Sequence, residues 1–197
     1  MPLVFLLDTS ASVAPHIGQL NTALNRFKTE VSQDGQAQNV LDVATIQFGD
    51  DFNVLQNFAP IGSMKPVRLM SSGHACYSAA IQEALRMTDD ALRNQANTYK
   101  PWIVLITGSR PTDDISTVAS AIKQRQQSDK LRFMALGYQG YDSGTLKTLT
   151  DVVFRQEGDD FTSFFDWISK CMWAIAKTMP GEKPQLPTLQ GNVYREK

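Results

Sequence analysis

The chain has 197 residues, 42% of them hydrophobic and 20% charged, a balance that excludes general disorder and suits one folded domain with a small appended element. Its 19 basic and 20 acidic side chains leave a net charge of -1, so nothing draws it broadly to nucleic acid or to an anionic membrane surface. Cys76 and Cys171 stand far apart without a second ligand at metal spacing, which argues for free thiols in a reducing cytosol over a disulfide framework or structural zinc site.

The opening run Met1-Pro2-Leu3-Val4-Phe5-Leu6-Leu7 lacks a basic leading segment and a cleavage site, and Asp8 ends it far short of a membrane span. It reads as a strand over residues 3–7 rather than a signal, and the chain reads as cytoplasmic. Ile17, Leu20, Leu24, Phe27 and Val31 then recur at steps of three and four, one face of a covering helix. Residues 39–48 read as a second strand, Gly49-Asp50-Asp51 as a turn, and residues 52–58 as its return, which makes a hairpin with one antiparallel edge strand. A helix follows over residues 78–92, with Ile81, Ala84, Leu85 and Leu92 on one side and Glu83, Arg86 and Asp90 elsewhere.

Residues 102–106 are almost continuously apolar, as expected of a central strand buried on both faces. Ile115, Val118, Ala119 and Ile122 mark a helix, residues 131–136 a strand, and Phe161, Phe164, Phe165, Ile168, Met172 and Ile175 a final apolar helix. The alternation predicts an α/β domain over residues 1–178: a single doubly wound, mostly parallel sheet with one antiparallel edge strand and helices on both faces. From residue 179 onward Pro180, Gly181, Pro184, Pro187 and Gly191 and few apolar residues predict an extended tail, either disordered or docked on the body or on a partner.

The loop Asp8-Thr9-Ser10-Ala11-Ser12 follows the first strand directly, so a carboxylate and two hydroxyls gather at the strand's carboxyl end. Such oxygen donors suit a hard cation, and they equally suit the capping of the next helix. With its surroundings the loop resembles the start of the metal-ion-dependent adhesion site of von Willebrand factor A (vWA) domains, in which DxSxS follows a hydrophobic strand. Asp42-Val43-Ala44-Thr45-Ile46-Gln47-Phe48-Gly49 is similar to that family's second strand and turn. The segment Pro101-Trp102-Ile103-Val104-Leu105-Ile106-Thr107-Gly108-Ser109-Arg110-Pro111-Thr112-Asp113 is similar to its fourth strand and following loop. The resemblance spans roughly residues 3 to 178. Within the family the chain looks most like small bacterial cytosolic proteins associated with tellurium resistance, which share the DTSxS start and the Pro-Thr-Asp.

The resemblance implies a strand order of 3-2-1-4-5-6 and recognition of other proteins by the loops at the strand ends, with no catalytic turnover. It implies partners in a stress-response cluster, including a kinase or phosphatase. It also implies a Mg²⁺ or Mn²⁺ site on Asp8, Ser10 and Ser12 whose open position takes an acidic side chain of the partner. Two departures leave that site incomplete: Ala75, or His74 in a shifted alignment, stands where the family has a threonine, and Gly108 where it has an aspartate. Thr107 and Ser109 still offer hydroxyls nearby. Metal uptake should therefore be weak or dependent on a partner's carboxylate.

The expected partner-binding face comprises Asp8, Ser10, Ser12, Gly73, His74, Thr107, Ser109 and Asp113. His74 reads as a loop histidine or a substitute ligand. Asp113 and Asp114 read as caps of the helix beginning near Ile115, or as displaced ligands. Cys76 reads as packed, since no cation beside it in sequence would stabilise a thiolate. Two other classes stay open: a structural interaction subunit whose old metal cleft is filled, and a phosphoryl-transfer enzyme with Asp8 as nucleophile. The latter lacks an acid two residues on, where Ser10 stands, and the chain has no GxSxG, P-loop or HExxH motif.

Overall fold

The structure is a computed structural model that describes residues 1–94, 99–178 and 182–196. β1 (Pro2–Asp8) is followed by a 3₁₀ turn (Ala11–His16) and α1 (Ile17–Ser32); a short α2 (Gly35–Val40) then leads into the hairpin of β2 (Asp42–Phe48) and β3 (Phe52–Pro60). The remainder runs α3 (Ser78–Asn94), β4 (Trp102–Thr107), α4 (Ser116–Gln127), β5 (Arg132–Gly137), α5 (Ser143–Leu149), β6 (Val153–Gln156), α6 (Thr162–Ala176) and β7 (Val193–Arg195). The seven strands form one sheet in the order β3-β2-β1-β4-β5-β6-β7. β2, β1, β4, β5 and β6 are parallel, and β3 is the expected antiparallel edge.

Alternation along β1 divides the core in two. Leu3, Phe5 and Leu7 face α1 and α6, while Val4 and Leu6 face α3 and α4. On the first side the rings of Phe5 and Phe27 meet edge-on at 5.3 Å, and Phe165 of α6 lies 5.6 Å from Phe5. Removing one such buried ring costs about 3–5 kcal/mol, which makes this trio the anchor of that face. Both sides of β1 are covered, and its carboxyl end carries Asp8 to the end of the sheet.

Four elements were not legible in the hydrophobic pattern. Asn39 and Val40, expected to open the second strand, belong to α2, which Asp34 caps by accepting from the backbone N–H of Gln36 and Ala37 at 3.0 and 2.9 Å. α5 and β6 are short, seven and four residues, and offer too few positions for a periodic signal. β7 comes from the tail: it pairs antiparallel with β6 and adds a second antiparallel edge opposite β3. Upstream of it, Leu186 and Leu189 pack on the α6 side of the core, and the Trp167 indole donates to the Pro187 carbonyl at 2.8 Å. The described part of the tail, residues 182–196, is thus docked on the body; Pro180 and Gly181 lie outside the described residues. Among the described residues no helix is long and apolar enough to cross a membrane.

Candidate functional site

β1 and β4 are parallel neighbours, in register from Leu3 opposite Trp102 to Leu7 opposite Ile106, so Asp8 and Thr107 finish side by side although 99 residues separate them. Here the strand order reverses direction, the point of an open α/β sheet where ligands collect. Asp8 is fully buried, which is costly for a carboxylate unless hydrogen bonds replace water. Two do: the Ser10 backbone N–H donates to Oδ1 at 2.9 Å, and the Thr107 hydroxyl donates to Oδ2 at 2.7 Å.

Proton bookkeeping then orders the next layer. Thr107 has one hydroxyl proton and gives it to Asp8, so its oxygen accepts from the Ser109 N–H at 3.1 Å and faces the Tyr77 hydroxyl at 2.5 Å. Tyr77 also donates to the Ser109 carbonyl at 2.7 Å. Burial pushes the Tyr77 phenol far above its usual range, with the Thr107 hydrogen bond opposing, so it is a protonated donor at neutral pH. Tyr77 is the functional residue that hydrophobic periodicity missed. The signal was present as an aromatic residue with a hydroxyl two positions after Ala75, in an otherwise small and polar loop.

Above Asp8, three serine hydroxyls close a triangle. Ser10 and Ser12 are 3.1 Å apart, Ser10 and Ser109 2.8 Å, and Ser12 and Ser109 2.6 Å. Each carries one donor proton, so the three satisfy one another around the ring. Ser10 and Ser109 are buried and Ser12 is exposed, so the triangle opens to solvent on the Ser12 side. Residues 72–76 brace this loop from outside: the Ala11 N–H donates to the Gly73 carbonyl at 2.9 Å and the Ser72 N–H to the Thr9 carbonyl at 2.7 Å. Gly73 has φ of +73°, and a Cβ there would stand 2.3 Å from the Asp50 carboxylate, so this brace requires glycine.

The remaining expected residues stand apart from the triangle. The His74 ring lies 2.7 Å from Asp50 Oδ1 on the exposed side of the brace, and this hydrogen bond holds the Asp50 carboxyl below the usual carboxylate range. Asp113 accepts from the Tyr77 and Ser78 backbone N–H groups at 2.8 and 2.6 Å, capping α3 across the cleft rather than the helix that follows it in sequence. Asp114 takes that second task, accepting from the Ser116 N–H at 2.9 Å. Cys76 is half-buried, its sulfur 3.5 Å from the Thr112 hydroxyl.

Gly108 explains the missing aspartate in steric terms. A Cβ there would lie 2.9 Å from both Tyr138 Cε2 and Val13 Cγ1 and 3.1 Å from the Gln139 carbonyl oxygen, so the position is filled by its neighbours. Ala75 is buried and equally without a donor. As to a cation, ligands at about 2.1 Å in an octahedron are separated by about 3.0 Å along each edge, and the serine triangle has edges close to that. The charge falls short: among the described residues Asp8 is the one carboxylate hydrogen-bonded beneath the serine triangle, each of its oxygens already accepts a hydrogen bond, and the Asp113 carboxylate across the cleft is taken up in capping α3. Among the described residues no group of three or more His, Cys, Asp or Glu side chains is placed to hold a metal ion. The three hydroxyls have the spacing of one face of a cation shell, with a single carboxylate behind them.

No curated protein matches the chain in sequence. Among solved structures it is similar to a von Willebrand factor type A protein from Catenulispora acidiphila, with a TM-score of 0.66 and 14% identity over 87% of this chain and 42% of that one. The SpRpn10 VWA domain gives a TM-score of 0.56 at 13% identity, covering 82% of this chain and 91% of that one. Proximal thread matrix protein 1 from the mussel byssus, with a zinc-occupied MIDAS motif, gives 0.56 at 16% identity over 89% and 44%. The chain spans less than half the length of the Catenulispora and mussel chains, and identities this low show likeness of fold. The sequence profile of the von Willebrand factor type A domain matches residues 3–165, the segment that carries the parallel sheet and the whole cleft, and the chain belongs to that family.

Proposed function

We propose that this chain is a cytosolic protein-interaction module that docks a partner on the rim formed by Asp8, Ser10, Ser12, Thr107 and Ser109, and that it turns over no substrate. The observation that carries this reading is the serine triangle: hydroxyls from two loops almost a hundred residues apart stand over a buried carboxylate, open to solvent at Ser12. One uncompensated negative charge among neutral donors favours a cation or a basic group on the partner. Mg²⁺ or Mn²⁺ would be held by the three serine hydroxyls with Asp8 behind them, and an acidic side chain from the partner would supply the missing charge, so cation uptake and docking are linked. The zinc-occupied MIDAS motif of the mussel protein supports an ion in this place in a related fold. The DTSxS start and the Pro111-Thr112-Asp113 turn support a place in a bacterial tellurium-resistance or stress-response system, with a kinase or phosphatase of that system as partner.

The test is affinity capture from the native cytosol in Mg²⁺, in Mn²⁺ and in chelator, comparing the unaltered chain with Asp8→Ala, Ser12→Ala and, at the opposite end of the sheet, Lys130→Ala. The partner should be retained by Lys130→Ala and lost by the other two; equal retention by Asp8→Ala and Ser12→Ala would overturn the reading. A second reading, a metal-independent structural subunit, is favoured by the closed hydrogen-bond ring of the three serines. Retention that is the same in chelator as in Mg²⁺ and Mn²⁺, yet lost in Ser12→Ala, would select it. Against phosphoryl transfer stand the full burial of Asp8 and the hydrogen bond on each of its oxygens; absence of hydrolysis of phosphorylated substrates is the expected assay result.

A further inference from the structure

At the opposite end of the sheet, where β1, β4 and β5 begin, a cavity of about 590 Å³ is framed by Trp102, Arg132, Ile175, Leu186, Lys100 and Lys183. Trp102 and Ile175 are buried and Leu186 half-buried, which gives an apolar floor. Arg132 stands in its wall with the guanidinium carbon 4.9 Å from the centre of the Trp102 ring. Its Nε is buried, and among the described residues it has no hydrogen-bond partner. That is uncommon, because a buried guanidinium normally meets a carboxylate. Asp129, which also lines the opening, is already ion-paired with Lys100. Burial works against the charged form of Arg132; Cys171 opposes that and Arg195 adds to it.

A guanidinium covered on its face by an indole keeps its planar N–H edge for an oxyanion in the same plane. Among the side chains of the lining, Lys100, Arg132 and Lys183 face Asp129 and Glu182, three cations against two carboxylates, so one positive charge is in surplus; the Met1 ammonium, also at the lining, donates to the Val40 carbonyl and has Asp42 as its counter-charge. A single negative charge balances that surplus, and the apolar floor calls for a flat or branched hydrocarbon body. We propose that this cavity binds a small organic acid, its carboxylate on Arg132 and its apolar body over Trp102, Ile175 and Leu186. The inference is independent of the docking rim, since the two sites lie at opposite ends of β1 and β4.

Benzoate is the probe, with benzamide as its neutral counterpart of the same shape and inorganic phosphate as an oxyanion without a hydrocarbon body. Titration followed by ¹H–¹⁵N NMR should show saturable shifts at the Trp102 indole and at the Arg132 and Leu186 amides with benzoate, and binding of benzamide weaker by about tenfold or more. Arg132→Gln should lose about tenfold in benzoate affinity, and Lys183→Gln, at an exposed position, should lose less. Asp8→Ala should bind benzoate as the unaltered chain does, which keeps failure here distinct from failure at the rim. Equal binding of benzoate and benzamide, or no saturable shift at Trp102, would overturn the proposal even where Arg132→Gln fails to fold. Phosphate binding as strong as benzoate would overturn the role of the apolar floor.

Discussion

Asp8, buried at the centre of the sheet, and Glu196, half-buried at its last edge, are both carboxylates served by hydroxyl groups, and they differ in how their charge is met. Glu196 accepts from the Tyr141 and Ser143 hydroxyls, and Lys147 Nζ stands 3.2 Å from its Oε2. Burial alone would raise its carboxyl, and the bonds from Ser143, Tyr141 and Lys147 together bring it below the usual range. Asp8 has one hydroxyl and one backbone N–H, and neither carries charge. At the tail, a neutralised pair stitches β7 to α5 and fixes the edge. At the rim, the same kind of donors leave a net negative charge beside an exposed serine, so the site stays receptive to a cation or a basic partner. Similar donors therefore surround a neutralised carboxylate in one place and an unneutralised one in the other, and the lysine makes the difference.

The sharpest way to break this comparison is to add charge to the rim. Gly108→Asp places a second carboxylate beside the serine triangle, into space already filled by Tyr138 and Val13. It should destabilise the fold by about 3 kcal/mol or more, read by urea denaturation, because both overpacking and an extra buried charge act against it. A variant as stable as the unaltered chain would mean that the cleft is roomier than its contacts indicate. Tyr77→Phe removes the hydroxyl that donates to the Ser109 carbonyl and lies against Thr107, and should cost about 1–2 kcal/mol in the same measurement, with weaker partner capture as the loop after β4 loosens.

At the other carboxylate, Glu196→Gln keeps an acceptor and loses the attraction of Lys147, so it should weaken tail docking by about 1 kcal/mol or less. Because the folded Glu196 carboxyl lies below its unfolded value, its contribution is complete above about pH 4.3 and is lost as pH falls through the lower folded value. The Trp167 indole, bonded to the Pro187 carbonyl, reports tail release in an NMR titration from neutral pH downward. An indole signal unchanged below pH values at which the carboxyl protonates would show that Glu196 does not secure the tail. The smallest effect concerns the metal: about 10 mM Mg²⁺ should raise the midpoint of thermal unfolding of the isolated chain by no more than about 2 °C. A rise of about 5 °C or more would show that one carboxylate and three hydroxyls suffice for a resident ion.

The family, the order of the main strands and helices and the polar loop after β1 were legible in the sequence, because they rest on local rules. A five-residue apolar run buried on both faces, such as 102–106, has one structural solution, and a stripe such as Ile17, Leu20, Leu24, Phe27 and Val31 has another. The meeting of the loops after β1 and β4 was likewise anticipated, from strand order and the resemblance. What tertiary structure alone decided is who satisfies whom. Asp113 had an adjacent helix to cap and caps α3 instead, since the closing of the cleft brings the orphan N–H groups of Tyr77 and Ser78 nearer than its own neighbours. Tyr77 is part of the site because its hydroxyl reaches Thr107, and position 108 has no room for a side chain because Tyr138 and Val13 arrive from other elements to fill the place. The tail, too poor in apolar residues to fold alone, gained order from the open edge of β6 and from the core beneath Leu186 and Leu189. Periodicity and local preference act between residues a few positions apart, whereas hydrogen-bond partners and steric vacancies are settled between segments the chain brings together only after it has folded.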